Sequence, residues 1–262
     1  MTASPEKVEL RIWGDPSQPT LVYLPGLHGD WTLISGFRAA LAGRARLVEV
    51  TYPRTLTWSL EGYAQGVEAS LAEQGIPGGW LIGESFGSQV AWPLAARGKF
   101  QAEGIILAGG FARHPMQWGA RLAEWIMRVC PLSWLKLILV VYGKLARLRF
   151  RSEPQVRAGL DAFLARRTDL DRRAAMHRLR LVATNDPTAL AQNLQKPVYA
   201  LSGWLDPIVP WLIVRRSLRR VCPALRDYRI VAADHNVLST ASATAAEQVL
   251  EWINQKPQAR PK

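Results

Sequence analysis

Three side chains in this sequence can together turn a hydroxyl into a nucleophile: Ser85, Asp206 and His235. Ser85 lies in Gly83-Glu84-Ser85-Phe86-Gly87, between the apolar run Trp80-Leu81-Ile82 and a helix-compatible stretch from Ser88 to Ala96. A Gly-x-Ser-x-Gly set between a strand and a helix is the pattern of a nucleophile elbow. Such a turn is sharp and strained, so the residues two before and two after the serine must let strand and helix pass closely. The Ser85 oxygen then stands clear of the sheet edge, and the Phe86 N–H points to where an oxyanion would form. A serine hydroxyl is a poor nucleophile until a base lies within hydrogen-bond reach and a third group fixes that base's tautomer. Asp206 lies in Gly203-Trp204-Leu205-Asp206-Pro207-Ile208-Val209-Pro210, after the strand-like Pro197–Ala200. His235 follows Tyr228–Val231. All three fall just past a strand, in the chain order Ser, Asp, His.

On these motifs the chain resembles an α/β-hydrolase with a lid inserted in its core, over residues 7–111 and 195–254. The resemblance implies an α/β fold class: a mostly parallel central β-sheet flanked by helices, with an all-helical lid. In that family the loop after the first central strand carries a His-Gly or Pro-Gly element that supplies a second oxyanion donor. Leu21-Val22-Tyr23-Leu24-Pro25-Gly26-Leu27-His28-Gly29 fits that element. The resemblance therefore implies the Leu27 N–H as the donor beside that of Phe86. It also implies Ser85 as nucleophile, His235 as general base and acid, and Asp206 as the group that orients the imidazole. Asp234 stands where many relatives have glycine, making the local field more negative without removing a working group. The alternative family position for the carboxylate, at Ala108-Gly109-Gly110-Phe111, is empty.

A serine at the elbow points to an acyl-enzyme, and away from the family's haloalkane and epoxide members, which place aspartate there. The expectation is a serine hydrolase of carboxylic esters with an apolar acyl group, acting on a small-molecule or lipid-like substrate without cofactor or metal. An acyltransferase, thioesterase or C–C hydrolase on the same residues is the alternative. A basic membrane- or RNA-associated protein without turnover is the rival from another class. No specific nucleic-acid partner is expected.

The elements that must hold these residues read as alternating strands and helices. Val8–Trp13 alternates like an edge strand, Leu21–Leu24 and Leu47–Thr51 read as buried strands, and Ile34–Leu41 as a helix between them. Ser59–Ala72 is helical, and strands follow at Trp80–Ile82, Gly104–Ala108, Val198–Ser202 and Tyr228–Val231. Ile213–Val221 and Ala241–Ile253 are the last helices. Such alternation indicates a parallel sheet with helices on both faces. From Phe111 to Lys196 strand signals vanish and apolar residues recur at helical spacing, broken by Pro115, Pro131, Pro154 and Pro187. The expected division is a core of residues 1–111 and 195–262, with a helical lid of residues 112–194.

Charge reinforces that division. The 262 residues carry a formal net charge of +12. Residues 112–194 hold 15 Lys and Arg against 6 Asp and Glu, so three quarters of the excess lies in the insert. Concentration in one segment points to a face that meets something anionic, rather than to a generally basic surface. Leu132–Tyr142 is nearly all apolar, and Lys144, Arg147, Arg149 and Arg151 follow it. The run is too short to span a bilayer, yet it can lie in an interface with its cations on anionic headgroups. The N-terminal residues lack the apolar run of a secretory signal. A cytoplasmic location is expected, with peripheral contact at the inner membrane face. Of the other histidines, His28 reads as shaping its loop, while His114 and His177 read as solvated among arginines. Glu84 reads either as bonded to nearby backbone or as a buried partner for a lid arginine.

Overall fold

The computed structural model describes residues 6–131, 133–134, 137, 140–141, 163 and 167–255. Lys144, Arg147, Arg149, Arg151 and most of the apolar run Leu132–Tyr142 lie outside the described residues. Seven strands form one sheet: β1 (Glu9–Trp13), β2 (Thr20–Leu24), β3 (Arg46–Thr51), β4 (Gly78–Glu84), β5 (Gln101–Ala108), β6 (Val198–Gly203) and β7 (Leu225–Val231). Their spatial order is β1-β3-β2-β4-β5-β6-β7. Only the edge strand β1 runs antiparallel; the other pairings are all parallel.

Between and after the strands come α1 (Ser35–Leu41), α2 (Leu60–Glu73), α3 (Phe86–Arg97), α4 (Gln117–Val129), α5 (Asp169–Thr184), α6 (Thr188–Asn193), α7 (Trp211–Val221), α8 (Val237–Thr240) and α9 (Ser242–Asn254). The period-2 alternation of each strand divides the core in two. Val22, Leu24, Leu81, Ile105 and Leu107 face α2 and α3, packing on Tyr63, Val67, Phe86 and Val90. Leu21, Tyr23, Ile82, Ile106 and Leu201 face α1 and α9, packing on Phe37, Val249 and Trp252. Both faces are therefore dry, which is why the central strands read as continuous apolar runs.

Two strands begin well ahead of their apolar runs. β5 starts at Gln101 and β7 at Leu225, three residues before each signal. β7 is the far edge of the sheet, and its Arg226 and Arg229 are exposed, so polarity hides its first half. Parallel register places the carboxyl ends together: Leu24 lies beside Gly83, Glu84 beside Ala108, and Gly203 beside Val231. Every candidate site residue lies just beyond that rim: Leu27, Ser85, Asp206 and His235 in connecting loops, and Phe86 at the start of α3.

Candidate active site

Ser85 joins β4 to α3 with φ 50° and ψ −112°, the one non-glycine residue with positive φ among those described. A residue other than glycine is held there only when its surroundings determine it. Here the Ser85 N–H donates to the Ala108 carbonyl at 3.1 Å, and the Ser85 carbonyl accepts from the Ser88 N–H and hydroxyl. The turn also needs bare backbone on both sides. A Cβ on Gly83 would lie 2.7 Å from Ser88 Cα, and one on Gly87 would strike the Leu24 carbonyl oxygen.

The three residues predicted from spacing converge at this turn. His235 Nε2 lies 2.8 Å from Ser85 Oγ, and His235 Nδ1 lies 2.8 Å from Asp206 Oδ2. Asp206 Oδ1 accepts the N–H groups of Ile208 and Val209, both at 2.8 Å, which fixes the carboxylate's orientation. Burial pushes the His235 imidazole down, but the hydrogen bond and charge of Asp206, with the charges of Glu84 and Asp234, outweigh it and raise its pKa. Asp234 also builds the turn. Its Oδ1 accepts the Asn236 N–H at 2.8 Å and the Thr240 hydroxyl at 3.0 Å, bracing the segment that carries His235.

Phe86 opens α3, so its N–H has no acceptor within the helix. Leu27 follows β2 in the turn closed by Gly29 N–H to the Gly26 carbonyl at 3.0 Å. The close approach of Gly87 to Leu24 and Pro25 brings these two loops side by side. This arrangement can activate a hydroxyl and accept developing negative charge nearby.

Glu84 is fully buried beside the elbow, and its carboxylate accepts the Tyr23 hydroxyl at 2.5 Å. Among the described residues, neither the backbone nor an arginine is its hydrogen-bond partner. Burial raises its pKa to about 7, against the opposing influence of the Tyr23 hydroxyl and His235. The folded state thus binds this proton more tightly than the unfolded chain. The cost of ionisation is absent below the ordinary value near 4.5, grows toward pH 7 and then levels off. Glu84→Gln is expected to be near neutral at pH 5 and to stabilise by about 1–3 kcal/mol at pH 8. Urea unfolding at the two pH values measures this; equal effects at both would refute it.

Several residues of the site carried no sequence signal. Arg178 of α5 is 2% exposed, and it donates to the carbonyls of Leu27 (2.8 Å) and Pro53 (3.2 Å). Arg167 donates to the His28 carbonyl at 3.1 Å and pairs with the buried Asp30. Burial pushes Asp30 up, but His28, Arg167 and the Thr32 hydroxyl together bring it down to about 2. Burial also lowers the His28 imidazole to about 4, so it is neutral in its loop. His114, expected to be solvated, is instead buried; its ring meets Phe111 edge-on at 4.7 Å and its Nδ1 accepts the Met116 N–H. His177 is half-buried, with Nε2 2.8 Å from the Trp58 carbonyl. The chain leaving β5 and the chain following α5 meet on Gln89 of α3, whose side chain bonds the Phe111 and Ala112 carbonyls and the Asn185 amide.

No family model matches the sequence. The chain is 26% identical over 250 residues to the pimeloyl-[acyl-carrier protein] methyl ester esterase of Methylococcus capsulatus, covering 92% of this chain and 96% of that protein. A hydrolase from Pseudomonas aeruginosa superposes with a TM-score of 0.78 at 16% identity, over 95% of this chain and 94% of the other. The enol-lactonase of Burkholderia xenovorans gives 0.75 at 18% identity, over 95% and 96%. This chain has the α/β-hydrolase fold. In an α/β-hydrolase sheet the loops beyond the carboxyl ends of the strands are where ligands are met, and that rim is where Ser85 and His235 lie.

Proposed function

We propose that this protein is a carboxylic ester hydrolase working through an acyl-enzyme on Ser85. The observation that carries the reading is the unbroken chain from Asp206 through His235 to Ser85 Oγ, with two 2.8 Å links, on a strained turn. As Oγ attacks the ester carbonyl carbon, its proton passes to His235 Nε2, and Asp206 stabilises the imidazolium. The N–H groups of Phe86 and Leu27 receive the oxyanion, each contributing about 3 kcal/mol. His235 returns the proton to the leaving alcohol. Water then repeats the sequence on the acyl-enzyme, releasing the acid and restoring Ser85.

The substrate class proposed is an ester of an extended, apolar acyl group. The name of the Methylococcus relative supports it: that protein acts on a methyl ester of an acyl group borne by a carrier protein. Residues 112–194 are proposed as the lid over this site, on the support of α5 reaching the Leu27 and Pro53 carbonyls. A second reading, peripheral contact of the lid with an anionic lipid surface, is favoured by one feature of α4. Its outer face presents Trp118, Leu122, Trp125 and Val129, each about half exposed or more, with exposed Arg121 and Arg128 alongside. Among the described residues, no helix is long and apolar enough to cross a membrane.

The test is fluorophosphonate labelling with a panel of p-nitrophenyl esters of increasing chain length. Labelling that is lost in Ser85→Ala, with turnover extending to medium or long acyl chains, is expected. An unlabelled wild-type protein would point to the binding-module rival, and turnover confined to acetyl esters would refute the apolar-acyl substrate. Product analysis with added alcohol separates hydrolysis from acyl transfer. Faster turnover of long-chain esters in anionic than in zwitterionic vesicles is the outcome that the second reading requires.

A further inference from the structure

Burying a guanidinium is costly unless its donors are used, so what Arg178 bonds to is informative. It projects from the middle of α5, a 16-residue helix started by a capping box in which Thr168 and Asp171 exchange hydrogen bonds. Its forked Nη groups span two backbone carbonyls, Leu27 and Pro53, that belong to different core loops. Its plane lies near the rings of Tyr52 and Tyr63, 5.6 and 5.9 Å from their centroids. Gly29, at φ +82°, leaves the room: a Cβ there would lie 2.5 Å from Arg178 Nη1. Eleven residues earlier in the same segment, Arg167 holds the next carbonyl, that of His28, and the carboxylate of Asp30. Asp30 in turn accepts the N–H and hydroxyl of Thr32. Two successive peptides of the Gly26–Gly29 turn are thus held from outside the core, by side chains that precede or lie on α5.

We propose that Arg178, seconded by Arg167, is a positioning residue for the oxyanion loop, so that the Leu27 N–H takes its working direction only when α5 is docked. The proposal rests on the ester-hydrolase reading and adds to it a coupling between the inserted segment and the reaction barrier. The Leu27 N–H belongs to the peptide preceding the one that Arg178 grips, so losing the grip frees the torsion between them without removing a donor. Substrate affinity is left nearly unchanged, because the oxyanion contact is stronger in the transition state than in the ground state.

The experiment measures kcat and KM for a p-nitrophenyl ester, and the Ki of a trifluoromethyl ketone of the same acyl chain, in wild type, Arg178→Ala and Arg178→Lys. For Arg178→Ala, kcat is expected to fall about 30- to 100-fold, with KM within about twofold and the ketone weakened in parallel. Added methylguanidine should restore part of kcat in Arg178→Ala. Arg178→Lys should recover little, since one ammonium cannot fork across two carbonyls. A folded Arg178→Ala with wild-type kcat, or with the whole effect in KM, overturns the proposal. If Arg178→Ala does not fold, Arg178→Lys carries the test, and wild-type kcat in that variant overturns it equally. A wild-type protein that cleaves no ester would instead sink the underlying reading, whereas an active wild type silenced by Ser85→Ala leaves that reading standing whatever Arg178 does.

Discussion

His235→Ala is expected to lower kcat for ester hydrolysis by about 10⁴-fold or more while leaving KM within a few-fold. In the proposed mechanism the imidazole, 2.8 Å from Ser85 Oγ, is the base, and without it the hydroxyl attacks at its ordinary, low nucleophilicity. Asp206→Asn should cost a comparable factor by favouring the wrong tautomer, because Oδ2 receives the Nδ1 proton while Oδ1 is already committed to two backbone N–H groups. The pH profile gives an independent check. Catalysis needs neutral His235, and its pKa is raised above the ordinary 6.5, so kcat/KM should rise with pH through a midpoint above 6.5. Stability runs the other way. A proton bound more tightly in the folded state stabilises fully below 6.5, and that contribution is lost as pH climbs through the raised value. Glu84 is among the charges that raise His235, so Glu84→Gln should move the acid limb of kcat/KM to lower pH. A limb centred below 6.5 in wild type, or His235→Ala with kcat within tenfold, would remove His235 from the role of base.

The elbow, the order of the three residues and the alternation of strands with helices were legible because each is written in local spacing. Gly83 and Gly87 flank Ser85 for steric reasons that act within five residues, and each strand's apolar run lies on contiguous chain. What Arg167 and α5 do to the core was not legible. Arg178 and Leu27 are 151 positions apart, Arg167 and Asp30 are 137 apart, and no spacing rule links a helix arginine to a loop carbonyl. The basic surplus of residues 112–194 suggested an anion-facing surface, yet Arg167 and Arg178 are used inside, on backbone and on Asp30. His114 misled differently: Phe111, three residues before it, covers its ring, while the adjacent Arg113 turns to Asp186 at 3.3 Å. Glu84 found its partner on an adjacent position of the sheet, in Tyr23, because parallel register brings β2 and β4 side by side.

Gly87→Ala is expected to destabilise the protein by about 3–5 kcal/mol and to remove most activity even in the fraction that folds. The added methyl would overlap the Leu24 carbonyl oxygen, come within 2.7 Å of its carbon and lie 3.0 Å from the Pro25 oxygen. All three contacts are backbone, so no rotamer relieves them; α3 must move away from the end of β2. That movement separates the start of α3 from the Leu27 loop, and with it the two N–H groups proposed above to receive the oxyanion. Gly83→Ala, which meets Ser88 Cα at 2.7 Å and Ser88 N at 2.8 Å, should behave alike from the other side of the elbow. Two glycines serve as contrasts. Gly98 has no atom within 4 Å of an added Cβ but sits at φ +74°, so alanine there should cost only about 1 kcal/mol. Gly119, in the first turn of α4 with Met116 Cβ 3.7 Å away, should accept alanine at no cost or with a gain of about 0.5 kcal/mol. Urea midpoints for the four variants rank them. Should Gly87→Ala unfold with Gly119→Ala at the wild-type midpoint, the close passage of α3 over β2 is not what holds the elbow.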